Sequence, residues 1–231
     1  MKVIYDDDNV IVVHKPQGIE TATFGGVSPR TSSALPADYP LVKHAPTPPA
    51  TLESQVAAFA VHRLDVNTEG LVIFAKTQIA KSELELAFKN HTVEKTYWAL
   101  CFGTLRTSPL ELGGYLLKDA KTGVVKVFKD RVGGAVPIKT IVRQIKAVDD
   151  MILLEIKPLT GRTHQIRAHL ASIGISIAGD GKYGDFKLNK AHGLKKQCLC
   201  AVGLRFNFPP SSPLAYLNAK TFNTKPLTFG Y

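Results

Sequence analysis

Residues 71–75 read LVIFA, five apolar positions in a row with none of the alternation of a half-solvated strand. A run this short, bounded by polar residues and rich in β-branched and aromatic side chains, predicts a buried strand around which other elements have to close. Residues 62–70, HRLDVNTEG, lead into it and place a carboxylate, Asp65, among His62, Arg63, Asn67, Thr68 and Gly70. A carboxylate is costly to bury alone, and here cationic and hydrogen-bonding neighbours lie in its own segment. Asp65 is therefore either a turn residue, which local composition favours, or a reactive group mounted just ahead of a rigid element. Only distant parts of the chain can decide between the two.

The rest of the chain reads as alternating short elements. Residues 3–5 and 10–14 are β-branched runs around Asp6, Asp7, Asp8 and Asn9, the pattern of a hairpin. Residues 21–51 change to Ser, Thr, Pro, Ala and Gly, with prolines at 29, 36, 40, 46, 48 and 49 that preclude a long helix or a central strand. A loop of that length is either a binding element or a disordered excursion. Residues 52–60 regain helical composition. Thr77 can cap a helix over 78–89 with an apolar face of Ile79, Leu84, Leu86, Ala87 and Phe88. Residues 95–102, KTYWALCF, read as a strand closed by Gly103.

Between residues 110 and 137 glycines interleave with Lys118, Lys121, Lys126, Lys129 and Arg131, and only 124–128 reads clearly as a strand. That segment is suited to following a phosphate backbone, or is a solvated hairpin. Residues 138–148 and 151–157 predict a hairpin around Asp149 and Asp150. In residues 160–184 the first half predicts an amphipathic helix with Ile166, Leu170 and Ile173 facing a core, Thr163 as cap and Gly174 as stop. Arg167 lies beside that stripe, so it must either reach solvent or meet a buried anion, for which Asp65 is the most plausible partner. A last strand is expected over 199–208, followed by a proline-marked tail in which nothing suggests catalysis.

The 231 residues carry a formal charge of +10 and a pI near 9.5, which points to a polyanionic partner, nucleic acid first. The amino terminus lacks the basic region and apolar core of a secretory signal, and no run approaches the ~18 apolar residues of a membrane span. Three cysteines, Cys101, Cys198 and Cys200, suit a reducing cytoplasm as buried apolar residues. Gly179, Gly181 and Gly184 match a dinucleotide fingerprint, but the segment after them has no apolar helical face, so a turn is expected. His62, Asp65, His164, His169 and Asp180 could suggest a metal site. His164 and His169 are five apart, roughly 140° around a helix, and cannot both face one ion. No metal is expected.

Three separated blocks nonetheless belong together. HRLDVNTEGLVIFAKT resembles the catalytic-aspartate motif of the RluA family of pseudouridine synthases, KTYWALCFG its tyrosine motif and GRTHQIRAHLASIGISIAGDGKYG its arginine motif. VVHKPQG at residues 12–18 is similar to the family's lead-in, and CLCAVGLRFNFPP to its closing strand. The chain departs from the pattern at Glu69, where the RluA type usually has serine and the related RsuA type glutamate. The resemblance implies an α+β fold: one pseudouridine synthase catalytic domain over 1–231, without an S4 domain. A central, largely antiparallel sheet would be flanked by helices and loops, with the cleft across its middle.

It also implies a cofactor-free, metal-free isomerase, expected to be a monomer, that converts specific uridines in structured ribosomal or transfer RNA to pseudouridine. Asp65 would be the nucleophile, attacking the sugar or the ring or removing a sugar proton. Tyr97 would stack on the flipped uracil and Arg167 would pair with Asp65. Arg63 would fill the space the base vacates, and His62, His164, Arg162 and Lys95 would support the site or contact RNA. A catalytically silent RNA-binding protein with the same basic surface is the alternative.

Overall fold

The computed structural model describes residues 1–22 and 51–229. The long proline-rich loop expected over 21–51 falls almost wholly on residues outside that range. Strands β1 (Lys2–Asp6) and β2 (Val10–Lys15) form the expected hairpin, and helix α1 (Leu52–Val56) starts on Thr51, whose side chain accepts from Ser54 N. The helix expected to run to residue 60 ends early. Ala57 turns left-handed and strand β3 (Phe59–Ala60) pairs with Ala75 and Phe74, a tertiary pairing that overrides the local helical composition.

LVIFA lies in β4 (Glu69–Ala75), every residue of which is buried. Leu71, Ile73 and Ala75 pack with Val10, Val12 and helix α2 (Gln78–Lys89), while Val72 and Phe74 pack with Val13, Leu52 and Leu64. Thr77 caps α2 as expected, accepting from Ala80 N. The buried face is Ala80, Leu84 and Ala87, whereas Ile79 and Leu86 are exposed, so the expected stripe is rotated. Strand β5 (Val93–Phe102) follows, then β6 (Leu110–Lys118), which the glycine-rich sequence hid. Gly114 explains why: a Cβ there would lie 2.9 Å from the Phe128 carbonyl oxygen, so close pairing with β7 (Val125–Phe128) requires the residue that weakens the strand signal.

Strands β8 (Val136–Val148) and β9 (Met151–Pro158) make the expected hairpin. Helix α3 (Gln165–Ser172) begins one residue later than a Thr163 cap would allow: His164 is the N-cap, and Ile173 is exposed rather than core. Strand β10 (Ser176–Ile177), helix α4 (Phe186–Ala191), β11 (Leu199–Phe206), a 3-10 turn (Ala215–Ala219) and β12 (Thr221–Asn223) complete the described chain. Gly179 sits in a turn at φ +74 where a Cβ would collide with the Lys196 backbone, as the turn reading of that motif requires.

The strands form one sheet in the order β1-β2-β4-β11-β5-β9-β8-β6-β7, with β3, β10 and β12 paired off that path. All pairs are antiparallel except β4 and β11. The fold is thus α+β with a large, mostly antiparallel sheet. No helix among the described residues is long and apolar enough to cross a membrane. The parallel pair brings the starts of β4 and β11 together at mid-sheet, and the candidate site forms there.

Candidate active site

One row of residues crosses the sheet beneath the site: Lys15 on β2, Gly70 on β4, Ala201 on β11, Tyr97 on β5 and Ile156 on β9 are successive register partners. Gly70 allows the tight β4–β11 contact, because at φ +117 a Cβ would run into the Ala201 backbone. Lys15 is fully buried and donates from Nζ to three carbonyls, Pro16 O (3.0 Å), Ile19 O (2.9 Å) and Val66 O (3.0 Å). Burial pulls its pKa down to about 8 despite the opposing pull of Asp65 and Glu69. This buried cation ties the end of β2 to the residue after Asp65, and Gly18 N donates to the same Val66 oxygen at 2.9 Å.

The other residues of the loop are tied down as firmly. Thr68 N donates to Asp65 O at 3.0 Å, and Leu64 N to Thr21 Oγ1 at 3.2 Å. His62 Nε2 accepts from Ile73 N at 3.0 Å while its ring stacks on Phe88 with centroids 4.3 Å apart. Burial pushes its pKa down to about 3, with Lys95 adding to the effect, so His62 enters the site neutral. It holds the loop against β4 as a neutral ring.

Arg167 meets two carboxylates rather than one. Its Nη1 donates to Asp65 Oδ2 at 2.9 Å, while Nε and Nη2 donate to Asp180 Oδ2 and Oδ1 at 2.7 and 2.9 Å. Asp180 is 1% exposed and also accepts from the backbone N–H groups of Lys182 and Tyr183. Burial alone would raise its pKa, but the Arg167 guanidinium more than offsets this and holds the carboxyl below the usual range. The Tyr183 ring lies under the guanidinium, 5.0 Å from Cζ. Asp180 thus clamps one edge of Arg167 and leaves the remaining donor to aim Asp65. The sequence signal for Asp180 was slight, a lone aspartate among glycines. It could have been found only by asking what second anion a buried arginine beside Asp65 requires.

A cavity of about 510 Å³ opens over these groups. It is lined by all eight residues singled out from sequence: Asp65, Tyr97, Arg167, His62, Arg63, His164, Arg162 and Lys95. Phe88, Lys89, His91, Thr68 and Gln165 join them; of these, the sequence had singled out Thr68 as a neighbour of Asp65 and Phe88 as part of an apolar helix face. Burial raises the Tyr97 phenol above its ordinary pKa, with Asp65 and Cys200 adding to the effect, so it stays protonated and less phenolate is available than in a free tyrosine. It offers a ring rather than a proton acceptor. Lys95 Nζ faces the open Cα side of Gly161, and burial lowers its pKa. The connection before α3 is fixed by Gln165, whose Oε1 accepts from Arg162 N and Thr160 Oγ1 and whose Nε2 donates to Lys139 O and Thr140 Oγ1. Among the described residues no group of three His, Cys, Asp or Glu is placed to hold a metal ion. All three cysteines are buried and free.

Comparison with known proteins gives a consistent result. The profile of a family described as RNA pseudouridylate synthase matches residues 9–172. A ribosomal large subunit pseudouridine synthase C of Vibrio vulnificus is 33% identical over 222 residues, which are 94% of this chain and 64% of that protein. An uncharacterized RNA pseudouridine synthase of Mycoplasma genitalium is 36% identical over 213 residues, 89% of this chain and 63% of its own. The chain therefore spans slightly under two thirds of the length of these curated relatives. Among solved structures, the human RNA Pseudouridylate Synthase Domain Containing 4 has the same fold, with a TM-score of 0.70 at 20% identity over 99% of this chain and 89% of that one.

Proposed function

Because the chain belongs to the RNA pseudouridylate synthase family, of the RluA type its motifs resemble, we propose that it isomerises specific uridines in structured RNA to pseudouridine, with Asp65 as the nucleophile. The observation that carries the reading is the Asp65–Arg167 pair, 2.9 Å apart in a cavity lined by Tyr97 and by Arg63, Arg162 and Lys95. The reaction breaks the N1–C1′ bond and forms C5–C1′, moving one proton from C5 to N1, so it is redox-neutral. Its demands are a positioned carboxylate, a pocket that retains the detached base, and cations for the RNA backbone. Arg167, anchored by Asp180, orients the carboxylate. Tyr97 supplies a stacking surface for the flipped uracil, and exposed Arg63, two residues before Asp65, fills the space it leaves in the RNA.

Large-subunit ribosomal RNA is the proposed substrate, supported by the names of the Vibrio relatives. A single catalytic domain in a reducing, cytoplasmic compartment suits the continuous sheet and the three free cysteines. The test is to incubate wild type and Asp65→Asn with unmodified large-subunit rRNA and with tRNA, then map pseudouridine by position. Site-specific conversion by wild type alone is expected. RNA binding without conversion by either protein would instead favour a silent RNA-binding protein, and conversion by the variant would overturn the role of Asp65.

A further inference from the structure

A histidine stands where the start of a helix ordinarily has a capping residue. His164 is the N-cap of α3, its backbone is left-handed at φ 53, and its side chain makes no capping bond. Serine or aspartate would cap α3, and glycine or asparagine would tolerate that backbone more readily, so helix stability does not explain the residue. Sites where local rules fail in this way are where function is to be sought.

The imidazole is engaged on both sides. Nδ1 lies 2.9 Å from Tyr183 Oη, and Nε2 lies 3.9 Å from Asp65 Oδ2, the same oxygen that accepts from Arg167. Val125 N donates to Tyr183 Oη at 2.9 Å, and the hydroxyl proton needs an acceptor, which among the described residues is His164 Nδ1. A ring that accepts at Nδ1 carries its proton on Nε2, on the side of Asp65. The ring of Tyr183 is also the surface on which Arg167 rests, so one tyrosine supports both groups that approach the carboxylate.

We propose that His164 is a positioning residue for the reaction. The Tyr183 hydroxyl fixes its Nε2–H tautomer, Nε2–H and Arg167 Nη1 hold Asp65 Oδ2 between them, and Oδ1 is left as the oxygen that reacts. This rests on the reading of Asp65 as nucleophile. The 3.9 Å separation is in ion-pair range, and a direct hydrogen bond requires it to close to about 3 Å.

The arrangement depends on pH. The groups facing His164 are Asp65 from the catalytic loop, Arg167 from α3, and Asp180, Lys182 and Tyr183 from the turn before α4. Burial lowers its pKa, Asp65 works against that, Arg167 and Lys182 reinforce it, and Asp180 opposes it. At neutral pH the ring is neutral. Protonation in acid puts a second donor on Tyr183 Oη beside Val125 N, and the tyrosine proton loses its acceptor.

Three variants and one spectrum test the proposal. On unmodified large-subunit rRNA, His164→Leu is expected to lower the single-turnover rate on the order of tenfold to a hundredfold with RNA affinity nearly unchanged. His164→Gln, whose amide nitrogen can occupy the place of Nε2, is expected to recover most of that rate and to lose the acid limb of the pH–rate profile. A Leu variant at the wild-type rate, or a Gln variant with an unchanged acid limb, would overturn it. Imidazole 15N spectra of the wild-type protein need no activity: protonated Nε2 is expected at pH 8, with a shift toward protonated Nδ1 in Tyr183→Phe. Protonated Nδ1 in wild type would overturn the tautomer. Should wild type make no pseudouridine on any RNA, the functional reading fails, and the spectra still decide the geometry on their own.

Discussion

Asp180 and Glu69 are each 1% exposed, and they are satisfied in opposite ways. Asp180 is met by a cation: both its oxygens take Arg167, and two backbone N–H groups complete the shell. Glu69, four residues after Asp65 on β4, is met by neutral donors. Its Oε1 accepts from Leu227 N at 3.0 Å, Thr228 N at 3.2 Å and Thr228 Oγ1 at 2.7 Å. Its Oε2 faces His14 Nε2 at 3.7 Å, a buried nitrogen with no hydrogen-bond partner among the described residues. Burial would raise the Glu69 pKa, yet His14 and Thr228 together bring it below the ordinary value.

The difference lies in what is left over. A guanidinium clamped along one edge still has a donor on the other, so the Asp180 pair extends into a third group, Asp65. The Glu69 cluster ends where it is, closing the carboxyl-terminal segment over β4. The added length of glutamate over the serine of the RluA pattern is what reaches residues 227 and 228. Its place in the family motif therefore reflects packing in this chain rather than chemistry at the cavity.

This contrast predicts effects of decreasing size. Asp65→Asn should lower single-turnover pseudouridine formation by about a thousandfold or more while leaving RNA binding, measured by filter retention, close to wild type. Asp180→Asn removes the clamp from a buried arginine. Urea unfolding should show a loss of about 3 kcal/mol, and the rate should fall about a hundredfold as Asp65 loses its aim. Equal rates in wild type and Asp180→Asn would break the comparison at its centre.

The neutral His62 makes the third test. Its folded pKa, about 3, lies below the unfolded value of 6.5, so between those values the unfolded chain binds the extra proton and stability falls as pH falls. About 1–2 kcal/mol should be lost between pH 7 and 5, and His62→Gln, which keeps an acceptor for Ile73 N, should flatten that dependence. Last, Glu69→Gln keeps an oxygen for all three donors. It should cost on the order of 1 kcal/mol of stability and change the rate by less than about threefold, since its cluster touches nothing in the cavity.

Local signals sufficed for much of this molecule. LVIFA, the β8–β9 hairpin and α2 with its Thr77 cap are legible because burial on a strand and a capped helix leave periodic or continuous patterns in adjacent residues. The blocks around Asp65, Tyr97 and Arg167 are legible as long motifs in a fixed order. Strand β6 was not, because the glycine that permits its close pairing at residue 114 also erases its pattern. The α3 cap was not, because His164 faces Asp65 and Tyr183 and not the helix it begins.

By itself, then, the sequence determined the buried strand over 71–75 and, through the long motifs that carry the family resemblance, the α+β class and eight of the residues that line the cavity, all properties carried by contiguous stretches of chain. Tertiary structure alone decided how those residues are used. It set Arg167 between two carboxylates, turned His62 into a neutral strut, buried Lys15 against the loop that carries Asp65 and assigned Glu69 to the carboxyl-terminal segment. Each of these depends on a partner brought close by sheet register or by a turn, and on the loss of water that makes an unpaired charge costly. Neither is written in the residues on either side.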